Sequence, residues 1–374
     1  MVAAVIVGYA RSPFTQAHKG ALAKTRPDDM AAQVVQGLLA RTGVKPEAID
    51  DVLLGCAFPE GEQGFNMGRM VALLAGLPHS VAGATINRWC GSSMEAIHIA
   101  AGNIALGKGE VFLCGGVESM SRIPMGGYNP LPNPTLYKSL PDAYLSMGLT
   151  AENIAKKYKI ERGAQEAFAI ASHQKAAKAD MSGEIVPITT KDGEVERDGC
   201  IRPTSTPEDL AKLDPAFDVY GTVTAGTSSP LTDGAAFVLV VSEAYADAHK
   251  IPKLARIKAA SVTGLDPAFM GLGPISASQK ALKSAGIGVK DLSIIEINEA
   301  FAAQSMPCCN ELGFDMAKVN IEGGAIALGH PLGASGARIT GKAAMLLKRT
   351  GGKYALSTAC IGGGQGIATV LEAI

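Results

Sequence analysis

Short apolar runs alternate with amphipathic stretches along the chain. Val2 to Gly8 is an apolar run of strand length. Asp28 to Arg41 follows with Met30, Val34, Val35, Leu38 and Leu39 at helical spacing, and Gly43 closes it. Val52 to Phe58 reads as the next strand, then come a glycine-rich turn and a helix near Met67 to Ala75. Ala84-Thr85-Ile86 reads as an extended turn. Ser92 to Leu106 reads as a helix with Met94, Ile97, Ala100, Ala101 and Ile104 and few charges on any face, which predicts burial. Val111 to Cys114 is an apolar strand that Gly115-Gly116 is expected to stop. Strands alternating with helices predict a layered α/β fold with a mostly parallel sheet.

From Ser119 to Tyr220 the texture changes. Proline and glycine cluster between Pro124 and Pro141, two polar helices follow near Ala151–Tyr158 and Ala164–Asp180, and a charged, turn-rich stretch runs to Pro215. Long irregular segments inside compact domains are usually functional, so this reads as an insertion covering a site. Ala235 to Val241 then returns to a buried strand, with a short helix at Glu243–His249. The second half repeats the first: Gly37–Gly43 up to Phe58 resembles Lys280–Gly286 up to Phe301, each pair 243 residues apart. That period is too long for a solenoid unit. It predicts two similar domains related by pseudo-twofold symmetry: residues 1–118 with 222–250, then 251–374, with 119–221 inserted in the first.

Composition narrows the class. The chain has 374 residues, is 47% hydrophobic and carries a net charge of −1, so nothing predicts a nucleic-acid surface. No apolar run approaches the ~20 residues of a membrane span. Neither a basic leader nor a peroxisomal address is read at the ends, and a cytoplasmic protein is the expectation. Seven cysteines at irregular spacing, without a CxxC pair, form neither a disulfide framework nor a zinc site.

Candidate chemistry centres on Asn87-Arg88-Trp89-Cys90-Gly91-Ser92-Ser93. Cys90 stands at a helix start, where free N–H groups and the helix dipole favour a thiolate. A lone cysteine is more often a small core residue. Three stretches of the second half bear on the choice: Asn298-Glu299-Ala300-Phe301, Gly323 to Gly336 with His330-Pro331, and Cys360-Ile361-Gly362-Gly363-Gly364 after the strand Tyr354–Thr358. Strand ends are where α/β sheets bind ligands. Each has a plain structural reading as well: His330 as a satisfied core histidine, Cys360 as core, and the glycines as a tight turn. His330 is harder to dismiss, because a glycine-rich turn offers little apolar cover.

Together with Cys114-Gly115-Gly116-Val117-Glu118-Ser119-Met120-Ser121, these stretches resemble the thiolases over nearly the whole chain. The resemblance implies the thiolase-like α/β fold and a ping-pong transfer between 3-ketoacyl-CoA and CoA. Cys90 would be the nucleophile, His330 its base, and Cys360 the acid and base at the second carbon. The N–H groups of Cys90 and Gly362 would form one oxyanion site; His330 and a water held by Asn298 would form the other. Cys360 would serve with its pKa tuned downward. Met147, Met270, Ala300 and Phe301 would line the substrate. No metal or redox cofactor is implied, CoA being a substrate. A homodimer or tetramer is implied, pairing subunits near the apolar strand Val111–Cys114, and a partner subunit as in fatty-acid oxidation complexes is admitted.

The chain also departs from the family. Met147-Gly148 lacks the preceding histidine of short-chain acetoacetyl-CoA thiolases, which favours a degradative enzyme of fatty-acid β-oxidation. Asp214 stands where relatives often carry a base near the CoA 3′-phosphate, and Ala259 where many have a serine facing the pantetheine. A biosynthetic acetoacetyl-CoA thiolase, a ketoacyl-synthase-type condensing enzyme and a non-catalytic acyl-CoA carrier are the alternatives.

Overall fold

The computed structural model describes residues 2–374. In chain order the main elements are β1 (Ala4–Arg11), α1 (Pro27–Thr42), β2 (Asp51–Gly55), α2 (Met67–Leu74), β3 (Ala82–Ile86), α3 (Ser92–Ala105), β4 (Val111–Ser119), α4 (Met147–Tyr158), α5 (Arg162–Lys178), β5 (Thr232–Ser242), β6 (Ala255–Gly264), α6 (Gly273–Ala285), β7 (Leu292–Ile297), α7 (Ala302–Leu312), α8 (Leu332–Thr350), β8 (Tyr354–Ile361) and β9 (Gln365–Glu372). Local signals explain many boundaries. α1 opens with Pro27 and two aspartates and ends on Arg41 and a left-handed Gly43; α6 ends the same way at Gly286.

The strands form one sheet in the order β7-β8-β9-β6-β1-β5-β4-β2-β3, with Thr15–Gln16 added against β5. The halves carry the same order: β1-β5-β4-β2 in the first and β6-β9-β8-β7 in the second. Each runs antiparallel, antiparallel, parallel. The halves meet where Val5 and Ile6 pair with Arg256 and Ala255. The sheet is mixed rather than mostly parallel: three of its strand pairs are parallel and six antiparallel. Long returns such as β4 to β5 bring the chain back in the opposite direction, which sequence alternation of strand and helix does not reveal.

Three large apolar clusters stack the layers. α1 and α2 cover the outer face of the first half, α6 and α7 that of the second, and α3 and α8 lie between. α3 presents one buried face and leaves Gly102 and Ala105 exposed. The helix buried nearly all round is α8, down to Arg338 and Lys342. These two charges are paired: Arg338 Nη1 donates to Glu296 Oε2 at 2.9 Å and Lys342 Nζ to Glu184 Oε2 at 2.7 Å.

Gly115 and Gly116 do not stop β4, which continues to Ser119. They are there because the strand is pressed from both sides. A Cβ on Gly115 would lie 2.1 Å from Phe237, and one on Gly116 2.0 Å from the carbonyl oxygen of Gly333. β4 is also interior to the sheet, so its apolar character reflects burial on both faces and not a subunit contact. The edge strand of the first half is β3, mostly half-buried. Among the described residues no helix is long and apolar enough to cross a membrane.

Candidate active site

Cys90 sits in the single turn Trp89–Gly91 that leads into α3. The turn is closed by its own polar groups. Trp89 N–H donates to Asn87 Oδ1 at 2.9 Å, and Ser92 Oγ accepts from Arg88 N–H at 2.9 Å while donating to Trp89 O at 2.6 Å. Trp89 is held at φ +42°. A bulky residue in that region costs about 1–3 kcal/mol and persists only where its surroundings impose it. Cys90 is 7% exposed and packs with Ala17, Ala57, Met120 and Leu332.

Leu332 opens α8, and His330 lies two residues before it, 5% exposed. The expectation of little apolar cover at His330 is therefore incorrect: Gly329 and Pro331 are buried with it. Its hydrogen bonds fix the ring. The N–H of His330 donates to Thr232 Oγ1 at 3.0 Å, Nδ1 meets Ser335 Oγ at 2.5 Å, and Nε2 meets Asn298 Nδ2 at 3.2 Å. An amide nitrogen can only donate, so Nε2 accepts and Nδ1 carries the proton. Ser335 Oγ in turn donates to Pro331 O at 3.0 Å, which is consistent with that tautomer. Burial and the charge of Arg338 lower the His330 pKa to about 3, so the ring rests neutral, its Nε2 lone pair accepting from Asn298 Nδ2.

Asn298 follows β7, fully buried, with its N–H donating to Thr358 O at 2.9 Å. Its Oδ1 has no hydrogen-bond partner among the described residues. Cys360 lies inside β8, which runs on to Ile361, and is 1% exposed. It packs in one apolar cluster with Met270, Ala300 and Phe301, against which Met147 also rests. The structure thus gathers all four expected substrate-lining residues around Cys360. Gly362 follows β8; a Cβ there would stand 3.1 Å from Trp89 and 3.4 Å from Met147.

Electrostatics overturn two expectations. Cys90 is not a stabilised thiolate: burial pushes its thiol up to about 12, although the N–H groups of Gly362 and of Cys90 itself act in the other direction. Cys360 is likewise raised and not tuned downward, by burial and by the neighbouring Cys90. A helix start offers N–H groups but cannot replace the hydration that a buried thiolate loses.

Several contributors are not legible as functional in the sequence. Thr232, outside any recognised stretch, and Ser335, inside the Gly323–Gly336 stretch but without an assigned role, orient His330. Glu118 belongs to a recognised stretch without an assigned role. Its carboxylate accepts from the N–H groups of Ala57 at 2.8 Å, Phe58 at 3.2 Å and Gly333 at 2.9 Å, tying the floor under Cys90 to the start of α8. Phe217 of the 119–221 segment stands edge-on to Phe301, with ring centres 5.8 Å apart. Asp214 is exposed. Ala259 is not at the site: it pairs with Val370 in mid-sheet and packs against the second-half core.

Cys90 of the first half thus lies beside the Cys360 thiol and the Gly362 N–H of the second, and packs on Leu332, two residues after the His330 that Asn298 holds. The models named "Thiolase, N-terminal domain" and "Thiolase, C-terminal domain" match residues 4–244 and 251–373. The chain belongs to the thiolase family. It is 46% identical to a 3-ketoacyl-CoA thiolase of Bacillus subtilis, with 100% of each chain covered. It is 49% identical to one from Pseudoalteromonas translucida, covering 99% of this chain and 98% of the relative. Among solved structures, human mitochondrial 3-ketoacyl-CoA thiolase superposes with a TM-score of 0.91 at 39% identity, covering 100% of this chain and 99% of that one. Its complex with CoA matches with the same TM-score and identity, covering 98% of that chain.

Proposed function

We propose that this acyltransferase cleaves 3-ketoacyl-CoA with CoA, reversibly, giving acetyl-CoA and a shortened acyl-CoA through an acyl-Cys90 intermediate. The convergence of Cys90, His330, Asn298, Cys360 and Gly362 carries the reading. Neutral thiol and neutral imidazole require a proton transfer at the moment of attack. Cys90 Sγ bonds to the 3-keto carbon as its proton passes to His330 Nε2. The N–H groups of Cys90 and Gly362 receive the oxyanion. The carbon–carbon bond then breaks and acetyl-CoA leaves as an enolate, its oxygen facing His330 Nε2–H and a water on Asn298. Cys360, a thiol kept protonated by burial, gives its proton to that carbon. In the second half-reaction Cys360 takes the proton of the incoming CoA thiol, whose sulfur bonds to the acyl carbon as the bond to Cys90 Sγ breaks and Cys90 takes its proton back from His330.

The segment 119–221 lies, on this reading, over the CoA side of the site, since Met147 and Phe217 reach the Cys360 cluster from it. The physiological role we favour is fatty-acid β-oxidation in the cytoplasm. The exposed edge at β3 supports a homodimer or tetramer with sheets continued across a twofold axis, and a further partner subunit of an oxidation complex is compatible with it. Initial rates of thiolysis with acetoacetyl-CoA and with a longer 3-ketoacyl-CoA test the substrate class. The longer substrate is expected to turn over at least as well as the shorter. Activity confined to acetoacetyl-CoA would contradict the degradative reading and favour the biosynthetic one.

A further inference from the structure

The Cys90 turn and the Gly362 turn come from opposite halves of the chain, and both must be in place for their N–H groups to converge. Two side chains join them. Arg88 Nη1 donates to Gln365 Oε1 at 3.0 Å, and Arg88 Nη2 donates to Glu95 Oε1 at 3.1 Å. Arg88 stands two residues before Cys90, while Gln365 opens β9 opposite Ile361. Between them, the Trp89 indole lies on the glycine turn: a Cβ on Gly363 would be 2.7 Å from the ring. The left-handed backbone of Trp89 is thus held from two sides. Asn87 and Ser92 fix it from within its own turn. The Gly362–Gly363 surface fixes it from the other half.

We propose that Arg88 and Gln365 are positioning residues. Their hydrogen bond, with Trp89 seated on Gly362–Gly363, locks the Cys90 turn against the Gly362 turn and sets the spacing of the two oxyanion-binding N–H groups. This rests on the roles given above to Cys90 and Gly362. Neither side chain touches reacting atoms, so their loss weakens transition-state binding and leaves ground-state binding nearly intact. A carboxylate at position 365 would accept from Arg88 as well as the amide does and would keep the lock.

The test uses the full-length enzyme as Arg88→Met, Gln365→Leu, their double variant and Gln365→Glu. Readouts are thiolysis kinetics and the emission of Trp89, the one tryptophan of the chain. Displacements of about 1 Å cost on the order of a hundredfold, so each single variant is expected to lose roughly tenfold to a hundredfold in kcat, with KM little changed. The double variant should be no slower than the worse single, because both remove one contact. Trp89 emission should shift to the red, and Gln365→Glu should keep most of the wild-type kcat. Unchanged kcat in Gln365→Leu, additive losses in the double variant, or a Gln365→Glu enzyme as slow as Gln365→Leu would overturn the proposal. Should Arg88→Met not fold, the two Gln365 variants decide it. If the wild type performs no thiolysis, the reading of the site fails instead; the lock itself is then judged by Trp89 emission in Gln365→Leu, where an unchanged spectrum overturns it.

Discussion

Cys90 is 7% exposed, so its sulfur has lost most of the hydration a thiolate needs, and two N–H contacts return only part of it. The direction matters for chemistry. A thiol raised to about 12 has a thiolate fraction that climbs about tenfold per pH unit through the neutral range. Alkylation of the free enzyme by iodoacetamide, followed on the Cys90 peptide, is therefore expected to accelerate steadily from pH 7 to pH 9 without a plateau. An inflection below pH 8 would mean a stabilised thiolate and would contradict the resting state described here. On the proposed mechanism the thiolate forms only as His330 takes the proton during attack, and Ser335, Asn298 and Arg338 all act on that one ring. The residue types were legible in the sequence; the protonation states were not, because they follow from burial that only the packed halves create.

Packing between elements decides what the glycines do. Gly115-Gly116 read as a strand stop, yet both lie in mid-strand where β4 meets β5 and the start of α8. A methyl group on Gly116 would strike the Gly333 backbone, three residues after His330. Gly116→Ala is expected to lower the guanidinium unfolding free energy by about 1–3 kcal/mol, the usual cost of overpacking, and to slow turnover with it. An unchanged midpoint would show that α8 can yield at this point. α1 and α6 were readable because periodicity, caps and closing glycines agree there. α8 was not, because Leu332-Gly333-Ala334-Ser335-Gly336 has the composition of a turn. Its small residues serve a close crossing instead: a Cβ on Gly336 would be 2.4 Å from the N–H nitrogen of Met94 in α3. Ala84-Thr85-Ile86 reads as an extended turn because β3, Ala82–Ile86, is an edge with little apolar contrast.

Across the molecule, one buried carboxylate joins the 119–221 segment to both layers beneath it. Glu184 accepts from Arg11 Nε of β1 at 2.7 Å and from Lys342 Nζ of α8 at 2.7 Å, all three side chains being fully buried. Removing one member of such a group strands the others; Glu184→Leu is expected to cost about 3–5 kcal/mol in chemical unfolding. A loss below 1 kcal/mol, by the same measurement, would show that Arg11 and Lys342 are satisfied by Asp198 and Glu322 alone. The repeat was visible in sequence as paired glycines and phenylalanines, and the matching strand orders of the two halves carry the same periodicity in space. That Cys90 of the first half should face His330, Cys360 and Gly362 of the second was implied by the family resemblance; how the halves pack is not written in periodicity or composition, and the proposed chemistry depends on that packing. The most direct test is mass spectrometry of the enzyme incubated with an acyl-CoA, quenched in acid and digested. The acyl mass is expected on the Cys90 peptide in the wild type and in Cys360→Ala, and absent from Cys90→Ala together with all turnover. An acyl group on Cys360, or thiolysis by Cys90→Ala, would contradict it.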